Sequence, residues 1–354
     1  MRDFIYSAAP ARILFGTGTV GRLGEELDRL GVRRALMLST RGQQGTALAI
    51  AEKIGARCAG LFPGAAMHTP VDVTASAMEK LEETGADGLV AIGGGSAIGL
   101  SKAIALRTDL PQIVIPTTYA GSEMTPILGE TQDGVKNTRS SPAILPEVVL
   151  YDVDLTLGLP AAISGVSGLN AIAHAVEALY ARDRNPVTDL MAEQGVRALA
   201  RSLPRIAANP GAHDARYDAL YGAWLCGACL GSVGMALHHK ICHTLGGSFG
   251  LPHAQTHAVM LPHALAYNSP AVPDAMATLG RAFASDDPAQ ALFDLGRDIG
   301  APTALRDLGM ARNDLDRAVD LVFANPYWNP RPLEPEAIRA MLLRAWAGTP
   351  PATI

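Results

Sequence analysis

Short apolar runs alternate with longer amphipathic stretches through the first 152 residues. Each short run predicts a buried strand, and each longer stretch, with apolar residues at helical spacing, predicts a helix. Strands that alternate with helices predict a parallel sheet covered by helices on both faces. The predicted strands are Arg34–Ser39, Gly88–Ile92, Gln112–Pro116 and Glu147–Asp152, with a further extended segment over Phe4–Phe15. The predicted helices are Val20–Leu30, Thr46–Ile54, Val71–Glu83 and Ala97–Leu106.

The pattern changes near residue 152, where the last convincing strand ends. Beyond it, apolar residues follow helical spacing almost throughout, interrupted by proline and glycine. This change predicts an α/β domain over 1–152 and an all-α domain over 153–354. The clearest predicted helices of the second domain are Ala161–Arg182, Val187–Ala208, Ala215–Leu230, Met235–Gly246 and His253–Ala266.

A glycine-rich turn with the sequence GGGS spans 93–96, between a predicted strand and a predicted helix. Glycine lets a backbone approach a ligand closely, and the amides at a helix N-terminus favour phosphate oxygens. The spacing differs from the usual dinucleotide fingerprint, so a tight turn without a ligand is the other interpretation.

Two other strand ends strengthen the interpretation as a phosphate site. The strand ending at Ile115 leads into Thr117 and Thr118, and the strand ending at Ser39 leads into Thr40. Ligands of open parallel sheets bind at the carboxyl ends of strands. An acidic residue after the first strand would exclude NADP, and here Thr40 stands beside Arg41 instead. We therefore expect both NAD and NADP to be accepted, unless Arg41 is simply a solvated charge.

Histidines are concentrated in one part of the second domain, where six of the nine lie between residues 238 and 263. His239 and His243 are four residues apart and share a helix face, as do Asn170 and His174. With His253 they predict a functional cleft lined by imidazoles. A lone histidine is more often a satisfied hydrogen-bonded residue than a ligand. We interpret four others in that way, as core residues (His257 and His263) or as surface or loop residues (His68 and His213).

Two kinds of chemistry remain open for this cleft. Three neutral imidazoles and one oxygen ligand suit zinc or ferrous iron. Asn170 offers a neutral amide where a carboxylate would be expected, which lowers the predicted affinity for a metal. Without a metal, the same imidazoles can donate protons or bind an anionic substrate.

Composition excludes several classes of function. The net charge is −5 and no basic stripe is present, so we expect no nucleic-acid partner. We find neither a signal sequence nor a membrane-spanning run, and we therefore expect a cytoplasmic protein without a membrane partner. Cys226 and Cys229 lie in an apolar helix, which favours core packing over a redox pair.

Several segments resemble the iron-containing alcohol dehydrogenase family, over nearly the full chain. They are FIYSAAPARILFGTGT, VAIGGGSAIGLSKAIAL, IPTTYAGSEMTPILGET, SGLNAIAHAVEALY and HKICHTLGGSFGLPHAQTHAVMLPH. The resemblance implies a dinucleotide-binding α/β domain and a helical domain with a cleft between them, an architecture shared with dehydroquinate synthase.

The resemblance also implies roles for individual residues. The family's metal ligands fall on Asn170, His174, His239 and His253, and the departure at Asn170 puts metal dependence in doubt. His243 matches a histidine near the reacting centre. The implied contacts to NADH or NADPH are Gly94, Gly95, Ser96, Thr117, Thr118, Thr40 and Lys136.

Within the family, the third segment is similar to the members that reduce the conjugated double bond of maleylacetate to 3-oxoadipate in aromatic degradation. Such a protein is expected to be a homodimer that binds a small anionic dicarboxylate. The candidate catalytic residues are His243, His253, His239 and His174, with Lys136 and Arg139 as further contacts to the substrate. The alternatives are a metal-dependent alcohol or polyol dehydrogenase, a lyase of the dehydroquinate synthase type and an inactive ligand-binding relative.

Overall fold

The computed structural model describes residues 4, 6, 11–132, 135–324 and 327–353, without the side chains of Val135 and Lys136. The chain forms two compact units, one over Ala8–Leu159 and the other over Pro160–Ile354 together with Met1–Ser7. The limits of 1–152 and 153–354 for two domains stay a prediction. Of the predicted extended segment, Phe4–Phe15, residues 5 and 7–10 lie outside the described residues, and Arg12–Phe15 belong to the first strand below.

The first unit is built on a parallel sheet and a separate hairpin. Its strands are β1 (Arg12–Gly16), β2 (Ala35–Leu38), β3 (Cys58–Phe62), β4 (Gly88–Gly93), β5 (Gln112–Pro116), β6 (Ile127–Gln132), β7 (Val135–Ser140) and β8 (Val148–Asp152). Its helices are α1 (Leu23–Leu30), α2 (Gln44–Ile54), α3 (Val71–Thr84) and α4 (Gly95–Thr108). Six strands form the sheet in the order β1-β8-β5-β4-β2-β3, all parallel.

Helices cover both faces of this sheet, as predicted. Every residue of β2, β4, β5 and β8 is buried. Alternate side chains enter two separate cores, so that Val90 packs with residues of α1 and α2, whereas Leu89 packs with residues of α3 and α4. Burial on both faces explains the continuous apolar runs in the sequence.

The hairpin of β6 and β7 was not predicted, because its strands carry few apolar residues. The two strands pair antiparallel from Ile127 opposite Ser140 to Gln132 opposite Val135. Leu128 is buried in a small core with Ala103 and Ile144. Antiparallel hydrogen bonds therefore define this hairpin, and such bonds leave no periodic pattern of apolar residues in the sequence.

The second unit consists of helices. They are α5 (Ala161–Ala178), α6 (Pro186–Ala208), α7 (His213–Ser232), α8 (Leu237–Phe249), α9 (His253–Asn268), α10 (Pro273–Phe283), α11 (Pro288–Asp298), α12 (Leu315–Phe323) and α13 (Pro335–Ala347). Every residue of α5 from Ser164 to Ala178 is buried. No single helix among the described residues is long and apolar enough to cross a membrane, and α7 with α8 meets the length and composition only as a pair bent by 94°.

The predicted end of α8 at Gly246-Gly247 is wrong. The helix continues to Phe249 and ends where Gly250 adopts a left-handed conformation, with φ of 68°. Left-handed geometry after the last turn selects glycine, and a glycine inside a helix costs only about 1 kcal/mol. Three glycines, Gly246, Gly247 and Gly250, could have ended the helix, and the helix ends at Gly250.

Candidate active site

The glycine-rich turn lies at the carboxyl edge of the parallel sheet. β4 ends at Gly93, whose φ is 143°, and α4 starts at Gly95. A Cβ atom added to Gly94 would lie 2.8 Å from Oγ1 of Thr118, whereas one added to Gly95 would meet no atom within 4 Å. Gly94 therefore allows close packing against Thr118, and Gly95 has open space beside it at a helix N-terminus, where amides favour an anion.

The turn also lies beside the point where the strand order reverses. The chain leaves β2 for β3 on one side and leaves β4 for β5 on the other, while β2 and β4 pair directly. Such a crevice is where open α/β sheets bind their ligands. The loops after β2 and β5, the two strands on either side of β4, are in contact, because Nε2 of Gln43 donates to Oγ1 of Thr117 over 3.4 Å.

The structure thus places most predicted cofactor residues at one edge of the sheet. Those after β2, β4 and β5 are Thr40, Gly94, Gly95, Ser96, Thr117 and Thr118. Lys136 lies in β7 opposite Thr131, and its side chain lies outside the described residues. Arg139 is exposed on the same strand.

A cluster of six imidazoles lies in the helical unit. Ring centroids are 5.2 Å apart for His174 and His239, 5.1 Å for His239 and His257, and 4.4 Å for His253 and His257. His243 joins through His239 at 6.1 Å and His253 at 6.3 Å. The remaining ring is His238, 4.8 Å from His257. The four predicted catalytic histidines are brought together, and we call these six rings the imidazole cluster.

Two members of this cluster were not predicted to take part. His257 is fully buried, as expected of a packing residue, but it lies between catalytic candidates. His238 is buried and shares a 2.9 Å hydrogen bond between its Nε2 and Nδ1 of His257. His263 is a packing residue as predicted, buried near the ring of Phe293.

Burial sets the charge of the cluster. Loss of solvent lowers the pKa of His174, His238 and His257 well below the ordinary value, and repulsion from neighbouring imidazoles lowers each pKa further. These three rings are therefore neutral near pH 7, and each carries one N–H donor and one acceptor nitrogen.

Sequence reasoning missed a buried carboxylate, that of Glu177. Its side chain is wholly buried and its Oε2 accepts a hydrogen bond from Nδ1 of His239 over 2.7 Å. The signal was present in the sequence, because Asn170, His174 and Glu177 follow one another at spacings of four and three on one face of α5.

Several buried atoms of the imidazole cluster, and one of Asn170, lack a hydrogen-bond partner within the described part of the chain. They are Oδ1 of Asn170, Nδ1 of His174, Nε2 of His239 and Nε2 of His257. Buried polar atoms are normally paired. A group of unpaired atoms in one place is therefore typical of a site that binds a ligand.

The predicted metal ligands do not fit a metal ion. Four ligands of one tetrahedral ion lie about 3.3 Å from one another at usual metal–nitrogen distances. Among the described residues, ligand atoms of three histidine, cysteine or carboxylate side chains lie within 4.8 Å of one another in His238, Cys242 and His257. None of these three residues belongs to the predicted set of metal ligands. Asn170 also supplies no charge.

The group of His238, Cys242 and His257 is better explained by hydrogen bonding than by a metal. Its two imidazole nitrogens are 2.9 Å apart, which is closer than two ligands of one tetrahedral ion. Burial holds the pKa of the Cys242 thiol well above its ordinary value, so the sulfur keeps its proton.

Comparisons with known proteins agree with this geometry. The family model of the iron-containing alcohol dehydrogenases matches residues 10–153, and that of the C-terminal part of the Fe-containing alcohol dehydrogenase family matches residues 164–346. A maleylacetate reductase of Rhizobium sp. (strain MTP-10005) is 58% identical over 351 residues, which cover 99% of this chain and 100% of that protein.

Solved structures give the same result. A crystal structure of maleylacetate reductase from Agrobacterium tumefaciens has a TM-score of 0.96 and 57% identity, covering 99% of this chain and 100% of that one. A putative alcohol dehydrogenase from Ralstonia eutropha JMP134 has a TM-score of 0.98 and 55% identity, with the same coverage. The chain belongs to the iron-containing alcohol dehydrogenase family.

Proposed function

We propose that this protein reduces the conjugated double bond of maleylacetate to give 3-oxoadipate, with NADH or NADPH as the reductant, in the breakdown of aromatic compounds. The observation that carries the proposal is the imidazole cluster, in which His174, His238, His239 and His257 are buried, together with the neutral Asn170 at the position where a metal site would have a carboxylate. Identities above 50% to several maleylacetate reductases support it.

The reduced nicotinamide cofactor fits the carboxyl edge of the sheet. The amides of Gly95 and Ser96 at the start of α4 would hold the pyrophosphate, and Gly94 lets that backbone come close. Thr117 and Thr118 would supply hydroxyl donors. When bound, the cofactor supplies the hydride.

The electronic demand of the reduction matches the cluster. Hydride addition to the carbon β to the ketone moves the π electrons towards the ketone oxygen, giving an enolate. Hydrogen-bond donors placed where this charge develops would stabilise it. We assign that role to His243 and His253, with His174 and His239 completing the wall of imidazoles. Proton transfer to the α carbon then completes the product.

The charge of the substrate explains why an amide suits position 170. Maleylacetate carries two carboxylates, and a carboxylate at position 170, added to that of Glu177, would repel them. Asn170 is buried and places an uncharged oxygen at this position instead, one helical turn before the neutral His174. Catalysis without a metal is therefore part of the proposal.

One observation favours a metal-dependent alcohol dehydrogenase as the second candidate. Histidines that bind metals usually give their other nitrogen to a carboxylate, as His239 does with Glu177. The neutral amide of Asn170 and the wide spacing of the remaining imidazoles argue against this candidate.

The test measures NADH oxidation with maleylacetate before and after treatment with a chelator, with metal analysis of the same sample. We expect full activity after chelation and no reduction of NAD with small alcohols. Loss of maleylacetate reduction with the metal, or turnover of alcohols alone, would favour the second candidate.

The variant Asn170→Asp sharpens this test, because it restores the carboxylate of a metal site. We expect binding of added zinc or ferrous iron to increase and the KM for maleylacetate to rise at least about 10-fold, since like charges brought together cost several kcal/mol. Asn170→Ala is the matched control, because it removes the amide without adding charge.

A cytoplasmic location and a homodimer belong to the same proposal. Sedimentation of the purified protein tests the homodimer, and fractionation of cells tests the location.

A further inference from the structure

We infer that Glu177 is a positioning residue that acts through His239. Its carboxylate fixes the tautomer and the direction of that imidazole, so that Nε2 of His239 faces the reacting centre. The inference rests on the proposed function for its catalytic consequence, but the geometry of the pair can be measured without it.

The carboxylate is held by more than one donor. Its Oε2 accepts from the N–H of Ala236 at 2.8 Å and from Nδ1 of His239 at 2.7 Å, and its Oε1 accepts from the N–H of His238 at 2.7 Å. The N–H of His239 lies 3.4 Å from Oε2. These amides belong to the N-terminus of α8, where the helix dipole favours a negative charge. Glu177 is therefore locked in place by backbone groups.

A carboxylate so placed selects one tautomer of His239. Both oxygens of Glu177 already accept hydrogen bonds from backbone N–H groups. Nδ1 of His239, which contacts Oε2, must therefore be the donor in that hydrogen bond. In the neutral ring the proton is then on Nδ1, and Nε2 carries the lone pair. Nε2 of His239 is also the atom that has no hydrogen-bond partner within the described part of the chain.

The same contact prevents rotation of the ring. A half-turn about the Cβ–Cγ bond would place a carbon against Oε2 and leave a buried carboxylate oxygen without its imidazole donor, which is costly. His239 is 5% exposed and its ring centroid lies 5.2 Å from that of His174. Fixed direction of a ring in a reacting centre improves the geometry of reaction, and loss of such a partner usually costs about 10–100-fold in activity.

Glu177 also stabilises the start of α8, so a purely structural role must be separated from positioning. The tautomer provides that separation, because it depends on the hydrogen bond to Nδ1 and not on the stability of the helix. Full-length protein labelled with ¹⁵N-histidine gives ¹⁵N–¹H correlation spectra that distinguish protonated from unprotonated ring nitrogens. The variant His239→Gln identifies the signals of His239.

In the wild-type protein at alkaline pH we expect Nδ1 of His239 to be protonated and Nε2 to be bare. A proton on Nε2 and none on Nδ1 would overturn the inference. This measurement requires no turnover and no variant of Glu177. It therefore decides the question even if Glu177→Gln fails to fold.

Kinetics of Glu177→Gln tests the consequence. The glutamine keeps a single carbonyl acceptor, and its NH₂ group meets either the amide of His238 or Nδ1 of His239, so the carboxylate that holds the ring is lost in both orientations. We expect kcat with maleylacetate to fall about 10–100-fold with little change in KM, and the ¹⁵N signals of His239 to change. Glu177→Asp keeps the carboxylate and should recover part of kcat together with the wild-type tautomer.

Glu193→Gln is the matched control, because Glu193 is a carboxylate of the same unit that pairs at the surface with Arg281. We expect wild-type kinetics from it. A folded Glu177→Gln protein with wild-type kcat, or one that loses only thermal stability, would overturn the inference. If the wild-type protein does not reduce maleylacetate, the proposed function fails, while the tautomer still decides the role of Glu177.

Discussion

Lys102 in the α/β unit and the histidines of the helical unit differ in how far the hydrogen bonding of a buried polar group is completed. In the α/β unit, Nζ of the buried Lys102 donates to the carbonyls of Ser122 and Thr125 at 2.6 Å each, and to Oγ1 of Thr125 and the carbonyl of Ile127 at 3.0 Å each. In the helical unit, His174 and His239 each keep a buried nitrogen with no partner among the described residues.

This difference distinguishes buried polar groups that stabilise the fold from buried polar groups that are available to bind a ligand. An unpaired buried polar group costs about 1–3 kcal/mol, so a fold keeps such groups where they serve another purpose. The saturated environment of Lys102 joins α4 to the segment before β6 and leaves nothing for a ligand to bind. In the proposed reaction, the substrate completes the hydrogen bonding of the unpaired atoms of the imidazole cluster.

The largest expected effect comes from removal of an imidazole. His243→Ala should lower kcat with maleylacetate by about 10²–10⁴-fold, because it removes a proton donor at the developing charge. NADH binding, followed by fluorescence, should stay close to wild type, since the cofactor is assigned to the α/β unit. Normal turnover by this variant would show that the proton comes from another group.

Replacement of Lys102, whose hydrogen bonds are all satisfied, should lower the stability of the fold and leave the catalytic rate unchanged. Lys102→Met leaves the buried oxygens of Ser122, Thr125 and Ile127 without their donor. We expect the free energy of unfolding to fall by about 3–5 kcal/mol in urea titrations. If Lys102→Met were as stable as the wild type, the hydrogen bonds of Lys102 would not stabilise the fold as the comparison requires.

Substitution in the glycine turn should have an intermediate effect. Gly94→Ala places a methyl group 2.8 Å from Oγ1 of Thr118, and strain of about 1–3 kcal/mol corresponds to an increase in the KM for NADH of roughly 10-fold. The control is Gly45→Ala in α2, whose methyl group meets no atom within 4 Å. Equal kinetics for both alanine variants would contradict close packing at the turn.

The smallest effect at neutral pH concerns a packing histidine. Burial lowers the pKa of His263 to about 4 in the folded protein, from 6.5. Between these values the unfolded chain binds more protons, so stability falls as the pH drops below 6.5, by up to about 1.4 kcal/mol per pH unit. Thermal unfolding of His263→Gln should show a weaker fall between pH 6.5 and 4 than wild type, with no difference above pH 7.

Apolar patterning was sufficient for the parallel sheet and most helices, because strands buried on both faces and amphipathic helices leave a direct trace in the sequence. It was insufficient for β6 and β7, where backbone pairing replaces apolar contacts. The end of α8 at Gly250 depended on which of three glycines adopts positive φ, and that is decided by how the chain continues to Leu251.

Some residues of the candidate site could be predicted from the sequence, and others could not. Spacing alone placed His174, His239, His243 and His253 in one cluster, because residues four apart share a helix face. It could not show that Glu177 is buried against α8, since a glutamate in a helix is usually solvated and only tertiary packing brings these two helices together. His238 and His257 were missed for a similar reason.

Enclosure of α5 on every side has an evolutionary consequence. A helix whose residues from Ser164 to Ala178 are all buried cannot shift to accommodate a new neighbour, and a Cβ atom on Gly168 would come within 2.6 Å of Leu203. Position 170 can nevertheless exchange an amide for a carboxylate at constant size. Because the codons for asparagine and aspartate differ by one base, a single point mutation would change the charge of the cluster while the scaffold stays the same.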